Sequence, residues 1–267
     1  MTGLAFHIMM LRMAALSGRL YQKIKRLTGR AIGDFNLIED GDHIAVAVSG
    51  GKDSYTLLHI LDALRRRAPI SYRLTAINID AGYPGYRADI IEEHLRENGF
   101  DCRMVATDCA GIIREKLRPG SSLCAFCARL RRGVLYTEAQ AAGCNKIALG
   151  HHLDDFIETL LLNQFFVGTI AAMSASMLAD NGINTVIRPL VYVEEKDIAA
   201  FSAENDFPVV SCACPPDVRT DENRRRMKEL LARLQLEIPD IKYSLISSLG
   251  NVQPRHLLDK ALSRRVP

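Results

Sequence analysis

Six consecutive residues, Ser49-Gly50-Gly51-Lys52-Asp53-Ser54, hold what an anion site requires. The two glycines permit backbone conformations closed to other residues and let amide groups approach a ligand closely. Lys52 adds a mobile positive charge, and the serines add hydroxyl donors. The apolar run HIAVAV (43–48) precedes the six, and a helical pattern opens near Ser54. The unpaired N–H groups and positive dipole end of that helix favour a phosphate. A plain strand-to-helix turn would not ask for a lysine and two hydroxyls together. The spacing is not that of Walker A, and no third glycine completes a dinucleotide fingerprint.

The seven cysteines suggest a second chemistry. Cys124 and Cys127 form a CxxC, which sets two sulfurs on one side of a turn. They could share a metal or a cluster, or form a redox pair. Cys212 and Cys214 make a second group in SCACPPD (211–217). Four thiolates could bind zinc tetrahedrally; three could hold a [4Fe–4S] cluster and leave one iron open. Cys102, Cys109 and Cys144 sit at strand-like or helix-end positions and read as small buried hydrophobes. Arg129, Arg131 and Arg132 flank the CxxC, where they would lower thiolate pKa or grip an RNA backbone. A merely solvated helix face is the plainer alternative.

Two more groups stand at strand ends. Asp80 closes INID, and Gly150, His151 and His152 close a fourth strand. Asp154 and Asp155 open the helix that follows, where acids are also ordinary dipole partners.

These residues need a frame. Residues 1–36 look helical and amphipathic, with an apolar stripe that would pack on the domain or form a dimer contact. Strands are expected at 43–48, 72–80, 101–108, 146–150 and 185–190, and a short one at 208–210. Helices are expected at 54–66, 87–98, 124–142, 154–166, 195–205 and 221–235. Residues 168–184 read as a flexible insert. The βαβ alternation with near-continuous apolar strands predicts an α/β fold built on a doubly wound parallel sheet. The expected organisation is a helical N-terminal extension (1–36), an α/β domain with the anion loop and the cysteines (37–215), and a helical C-terminal segment (216–267).

Composition fits a globular chain: 267 residues, 48% hydrophobic and 24% charged. A net charge of +3 does not announce a nucleic-acid protein, but the cations cluster at 23–30, 65–67, 129–132, 224–226 and 263–265. They read either as solvated helix faces or as a divided phosphate-binding surface. His7 and Arg12 interrupt the N-terminal apolar run, which argues against a secretory signal. No apolar run reaches the ~18 residues of a membrane span. A cytoplasmic, thiol-reducing location is expected, where grouped cysteines point to metal or catalysis.

The hexapeptide, set between a strand and a helix, resembles the SGGxDS pyrophosphate loop of the PP-loop ATP pyrophosphatases. SGGKDSYTLL, CAFCARLRRGVLY, LGHHLDDFIET, IRPL, the cysteine loop and NVQPRHLLD (251–259) follow in one order. That order resembles the TtcA-like tRNA 2-thiocytidine synthetases over nearly the whole chain. The resemblance implies ATP and Mg²⁺ bound at Ser49, Gly50, Gly51, Lys52, Asp53 and Ser54, with Asp80, Gly150, His151 and Asp154 completing the nucleotide site. It implies catalytic roles for Lys52, Asp53, Arg131 and Asp155, and RNA contacts from Arg129 and Arg132. It implies a [4Fe–4S] cluster on Cys124, Cys127 and Cys214, with Cys212 as the alternative third ligand, because CAC replaces the usual CxxC there. The implied reaction is adenylation of the C2 oxygen of cytidine 32 in tRNA, then sulfur insertion. A cysteine desulfurase or other sulfide donor and a homodimer are also implied. Lysidine synthetase adenylates a tRNA cytidine too, but does not need this cysteine set. A sulfur-inserting or sulfur-removing relative acting on another base fits the same motifs. A non-enzymatic metal-binding RNA module with a decayed loop is opposed by Lys52, Asp53 and Ser54, all present.

Overall fold

A computed structural model describes residues 18–118, 120–214 and 222–259. Two compact units result. The first takes the described residues up to His152 and those from Ser174 to Cys214. The second takes Leu153–Met173 and the described residues from Glu222 onward.

The first unit is built on a six-stranded sheet of order β3-β2-β1-β4-β6-β5. Its strands are β1 (His43–Ala47), β2 (Arg73–Asp80), β3 (Cys102–Ala106), β4 (Lys146–Ala148), β5 (Ser176–Leu178) and β6 (Thr185–Ile187). All pairs are parallel except β5 with β6. The α/β class and the five longer strands match the sequence expectation, with shorter ends. From β1 the chain steps outward through β2 to β3, then returns to the other side of β1 for β4. The crevice beyond the carboxyl ends of β1 and β4 is therefore the topological switch point, where open α/β sheets bind ligands.

Helices α1 (Arg19–Asp34), α2 (Lys52–Arg65), α3 (Ala88–Glu97), α4 (Cys109–Lys116), α5 (Leu123–Ala141) and α7 (Glu195–Glu204) complete this unit. The second unit supplies α6 (Leu153–Leu162), α8 (Glu222–Glu237) and α9 (Ile241–Ser248). On one sheet face, Leu135 and Ala139 of α5 pack with Ala45, Ile77, Ile79, Cys144 and Ile147. Burial pushes the Cys144 thiol up to about 11, so this cysteine is an inert core residue, as expected. Helix α2 carries Tyr55, Leu57, Leu58, Ile60 and Leu61, all fully buried. Its neighbours are α1 and α7, and Tyr21 of α1 stacks on Phe201 of α7 at 6.2 Å. The apolar stripe of α1 (Tyr21, Ile24, Ala31) is thus buried within its own unit, and is not a free dimer face. The first part of the 1–36 expectation, residues 1–17, lies outside the described residues.

Four expectations change. Residues 208–210 join no ladder: Val209 N–H turns back onto the Phe207 carbonyl at 2.8 Å, and Val210 N–H donates to the Gly50 carbonyl at 2.9 Å. Within 168–184 the chain forms β5, and a turn closed by Ala179 N–H to Asn184 carbonyl (2.8 Å) returns it to β6. Helix α4, expected as loop, is started by Asp108, whose carboxylate accepts from Gly111 N–H at 2.9 Å. Helix α9 lies in the segment expected to be helical, but eight residues with only Leu245 and Ile246 packed on the core give too weak a period to delimit it.

In the second unit, Leu153, Ile157 and Leu161 of α6 pack against Met227 and Leu231 of α8. Helix α6, expected inside the α/β domain, belongs with the C-terminal helices because its apolar stripe finds its partners there.

Candidate active site

The glycine loop sits at the end of β1, at the switch point. Gly50 has φ +84°, a region that side-chain-bearing residues rarely adopt. A Cβ there would also lie 2.7 Å from Ile91 Cδ1. Ser54 ties the loop to itself: its hydroxyl donates to the Gly51 carbonyl at 2.8 Å and accepts from Ser49 N–H at 3.2 Å. Asn78 on β2 donates to the Val48 carbonyl at 2.7 Å and to the Tyr86 hydroxyl at 2.8 Å. Tyr86 in turn donates to the Ser49 carbonyl at 3.3 Å. The loop is held from β2 while α2 starts at Lys52 with no side-chain cap. Ser54 N–H and Tyr55 N–H already donate to the Gly51 carbonyl, which leaves the Lys52 and Asp53 N–H groups for an anion.

Lys52 Nζ lies 3.0 Å from Asp53 Oδ1 and 3.3 Å from Glu195 Oε1. Burial opposes its charge, but the two carboxylates outweigh burial and raise its pKa. It is a fixed cation. Gly150 explains how β4 reaches this loop. A Cβ on it would meet the Asp53 carbonyl carbon at 3.1 Å and Ser54 N at 3.3 Å. His152 Nε2 lies 3.8 Å from Asp53 Oδ1. His151 Nδ1 accepts from Arg188 Nε at 3.2 Å.

A cavity of about 280 Å³ opens beside the loop. Its wall includes Ser49, Gly51, Asp80, Cys127, Arg131 and Cys212. The Asp80 carboxylate accepts from Gly82 N–H at 2.8 Å, which holds the turn after β2 against this space. Cys127 is buried, and Cys124, one turn earlier on α5, is exposed. Burial raises the Cys127 thiol, Arg131 lowers it, and Cys109 and Cys124 raise it further. Cys109, read as a small hydrophobe, is buried beside Cys127 with Ala81 and Ile113.

Of the second cysteine group, Cys212 lines the cavity and Cys214 does not. The sulfurs of the two lie in contact with each other. Among the described residues no three His, Cys, Asp or Glu side chains are grouped around a metal position. A three-thiolate centre needs Cys212 to turn away from Cys214. The donor set otherwise suits one. Cys127 and Cys212 open onto the same space, Arg131 supplies positive charge, and the buried Tyr83 hydroxyl in that wall has no hydrogen-bond partner.

The acids at the start of α6 lie in the second unit. Arg224 binds Asp155 at 2.9 Å and Glu158 at 2.8 Å, and Lys242 binds Asp154 at 2.6 Å. Arg129 and Arg132 lie on the flank of α5 away from the cavity wall, in a groove described below. Three site residues were missed in the sequence. Glu195 looks like any acid in a first turn. Tyr83 carries no local signal. Arg188 lies in the quoted IRPL, without an assigned role.

Residues 19–229 match the PP-loop domain family. The tRNA-cytidine(32) 2-sulfurtransferase of Syntrophotalea carbinolica is 69% identical over 250 residues, covering 94% of this chain and 96% of that protein. Its counterpart in Geobacter metallireducens is 66% identical over 244 residues, covering 91% and 95%. Among solved structures, the U34-tRNA thiolase NcsA from Methanococcus maripaludis, with its [4Fe–4S] cluster, shares the fold. Its TM-score is 0.70 at 21% identity, covering 87% of this chain and 78% of that one. No helix among the described residues is long and apolar enough to cross a membrane. A pyrophosphate-type loop, two cysteines on one cavity with it, and this degree of identity over nearly the full length place the chain in the tRNA-cytidine(32) 2-sulfurtransferase family of PP-loop proteins.

Proposed function

We propose that this chain converts cytidine 32 of tRNA to 2-thiocytidine with consumption of ATP. The observation that carries the reading is the common wall: loop residues Ser49 and Gly51, Asp80, Arg131, Cys127 and Cys212 line one cavity. ATP lies with its β and γ phosphates on residues 49–54, where first-turn amides and Lys52 face the charge. Asp53, beside Lys52, is the carboxylate we assign to Mg²⁺. Asp80, Gly150 and His151 border the adenosine side.

The C2 oxygen of the base attacks the α-phosphorus. A P–O bond forms, the bond to the bridging oxygen breaks, and pyrophosphate leaves. The base now carries AMP on that oxygen, which turns a poor leaving group into a good one. Sulfur bonds to C2, and AMP departs with the oxygen. Arg131 stands where it offsets negative charge on the adenylated base.

Cys124, Cys127 and Cys212 are the thiolates that would hold a [4Fe–4S] cluster. Such a cluster on three ligands supplies an open iron for exogenous sulfur. A buried cavity keeps water from the activated base. A cytidine in an anticodon loop can leave its stack to enter it. Sulfur reaches C2 as hydrosulfide, from a sulfide donor or from a cysteine desulfurase persulfide reduced by a thiol, and the enzyme works as a homodimer in the cytoplasm. The test is nucleoside mass analysis of tRNA from a deletion strain. 2-Thiocytidine is expected to vanish, and to return with this chain but not with Cys124→Ala. Persistence of the nucleoside in the deletion strain would end the proposal.

A further inference from the structure

Among the described residues of the basic clusters, seven cations are already neutralised, while Lys25, Arg26 and Arg67 have no salt bridge. Asp62 binds both Arg65 and Arg66. Asp155 and Glu158 bind Arg224, while Glu229 and Glu222 bind Arg225 and Arg226. Lys23 pairs with Asp197, and Arg30 with Asp34. Lys116, Arg118, Arg129 and Arg132 also have no salt-bridge partner among the described residues. All four line one groove of about 1030 Å³, in whose wall Asp180 is the acid. Four cations against one anion leave this surface without its counter-charges.

Arg188 lies outside the groove lining; burial, then the charge of Arg132, lowers its pKa. Among the described residues it donates to neutral acceptors, His151 Nδ1 and the Ser174 carbonyl at 2.6 Å. Phe126 and Tyr136 give the groove ring surfaces, and the Arg129 guanidinium lies 5.3 Å from the Phe126 centroid.

Helix α5 separates this groove from the cavity. Cys127 and Arg131 turn one flank to the cavity; Arg129 and Arg132 turn another to the groove. A helix with its side chains is about 10–12 Å across. When a base enters the cavity, phosphates of neighbouring nucleotides on the same strand can reach a surface that far away. We propose that the groove bounded by Lys116, Arg118, Arg129 and Arg132 receives the phosphate backbone of the tRNA anticodon arm. This rests on the function proposed above. An acidic peptide would satisfy the charge, but not the placement beside a base-sized cavity.

The test uses Lys116→Gln/Arg118→Gln, two exposed positions outside the catalytic cavity. Fluorescence anisotropy follows binding of an anticodon stem-loop RNA to the anaerobically purified full chain across a salt series. The variant is expected to bind at least about fivefold more weakly, with a log K against log salt slope shallower by about 2. ATP binding and the melting temperature should be unchanged. Arg225→Gln/Arg226→Gln, on paired arginines, should keep the native affinity and slope. Native affinity and slope in the groove variant would overturn the assignment while leaving the enzyme function standing. A native chain that binds no tRNA would overturn both. Displacement of the RNA by inorganic phosphate, or by polyglutamate, at matched ionic strength would mark a simple ion site or an acidic-protein site, and would also overturn it.

Discussion

Lys52 Nζ lies 3.3 Å from Glu195 Oε1, so the loop lysine is clasped between its neighbour Asp53 and an acid from the first turn of α7. The clasp holds the ammonium charged and in place before any phosphate arrives. Lys52→Ala is expected to cut ATP-dependent thiolation by about 10²-fold or more, since a preorganised donor to developing charge is lost. Glu195→Gln leaves Asp53 in contact and should cost less than about tenfold in kcat/KM. Pyrophosphate release measures both. Equal losses would make Glu195 a member of the reacting set.

Gly150→Ala tests the approach of β4 to the loop. The new methyl would meet the Asp53 carbonyl carbon at 3.1 Å, and backbone there has little room to yield. Overpacking of this kind costs about 1–3 kcal/mol. The expected result is a raised KM for ATP and a lowered Tm, read by kinetics and by thermal unfolding. A variant indistinguishable from the native chain would show that the contact relaxes freely.

Cys127 and Cys212 share the cavity wall, and Cys124 stands one turn before Cys127 on α5. Cys124→Ala, Cys127→Ala and Cys212→Ala should each yield a colourless protein that still binds ATP. Cys214→Ala should keep the visible absorption and most of the activity. A colourless Cys214→Ala with a brown Cys212→Ala would return the third ligand to Cys214, the one the family resemblance implied.

Asp155 is tied to Arg224 and, through it, to buried Glu158. Asp155→Asn is expected to lower Tm and to keep kcat within about tenfold. An unchanged Tm with a loss of about 10²-fold would give Asp155 a catalytic role.

The base of the sheet carries a pH-sensitive pair. Asp42 is buried, accepts from Asn145 at 2.7 Å, and lies 2.7 Å from Lys146 Nζ. Burial alone would raise its pKa, but the Lys146 and backbone contacts win and hold it below the usual carboxylate range. The folded state thus binds this proton less readily than the unfolded chain. The stability it contributes is complete above about pH 4 and is lost as pH falls through the depressed value. Asp42→Asn, which leaves Lys146 short of a buried partner, should cost about 3 kcal/mol at pH 7 and flatten the acid limb. Denaturant melts at pH 7 and pH 3 check this; an unaltered acid limb would remove Asp42 from it.

Much of the frame was legible because its signals are local. Continuous apolar runs marked β1, β2 and β4, since strands covered on both faces have no polar side to show. Gly50, Gly51, Lys52 and Ser54 marked the loop because positive φ and phosphate contact leave few residue types that work. Helix α4 escaped because eight residues with one cap give a weak period. Residues 176–178 escaped because an exposed edge strand of three residues has no apolar pattern to read.

The chain's own order of residues determined the α/β class, the anion loop between β1 and α2, and the CxxC on α5. Each depends on neighbours within one or two turns of the backbone. Tertiary structure alone decided that Cys212 and not Cys214 shares a wall with Cys127, that Glu195 holds Lys52, and that Arg118 and Arg132 stand without acids while Arg224 does not. Those relations join residues far apart in the chain. They are set by where the crossovers return each segment to the sheet, and by which side chains then exclude water together. A periodicity in sequence cannot carry that information.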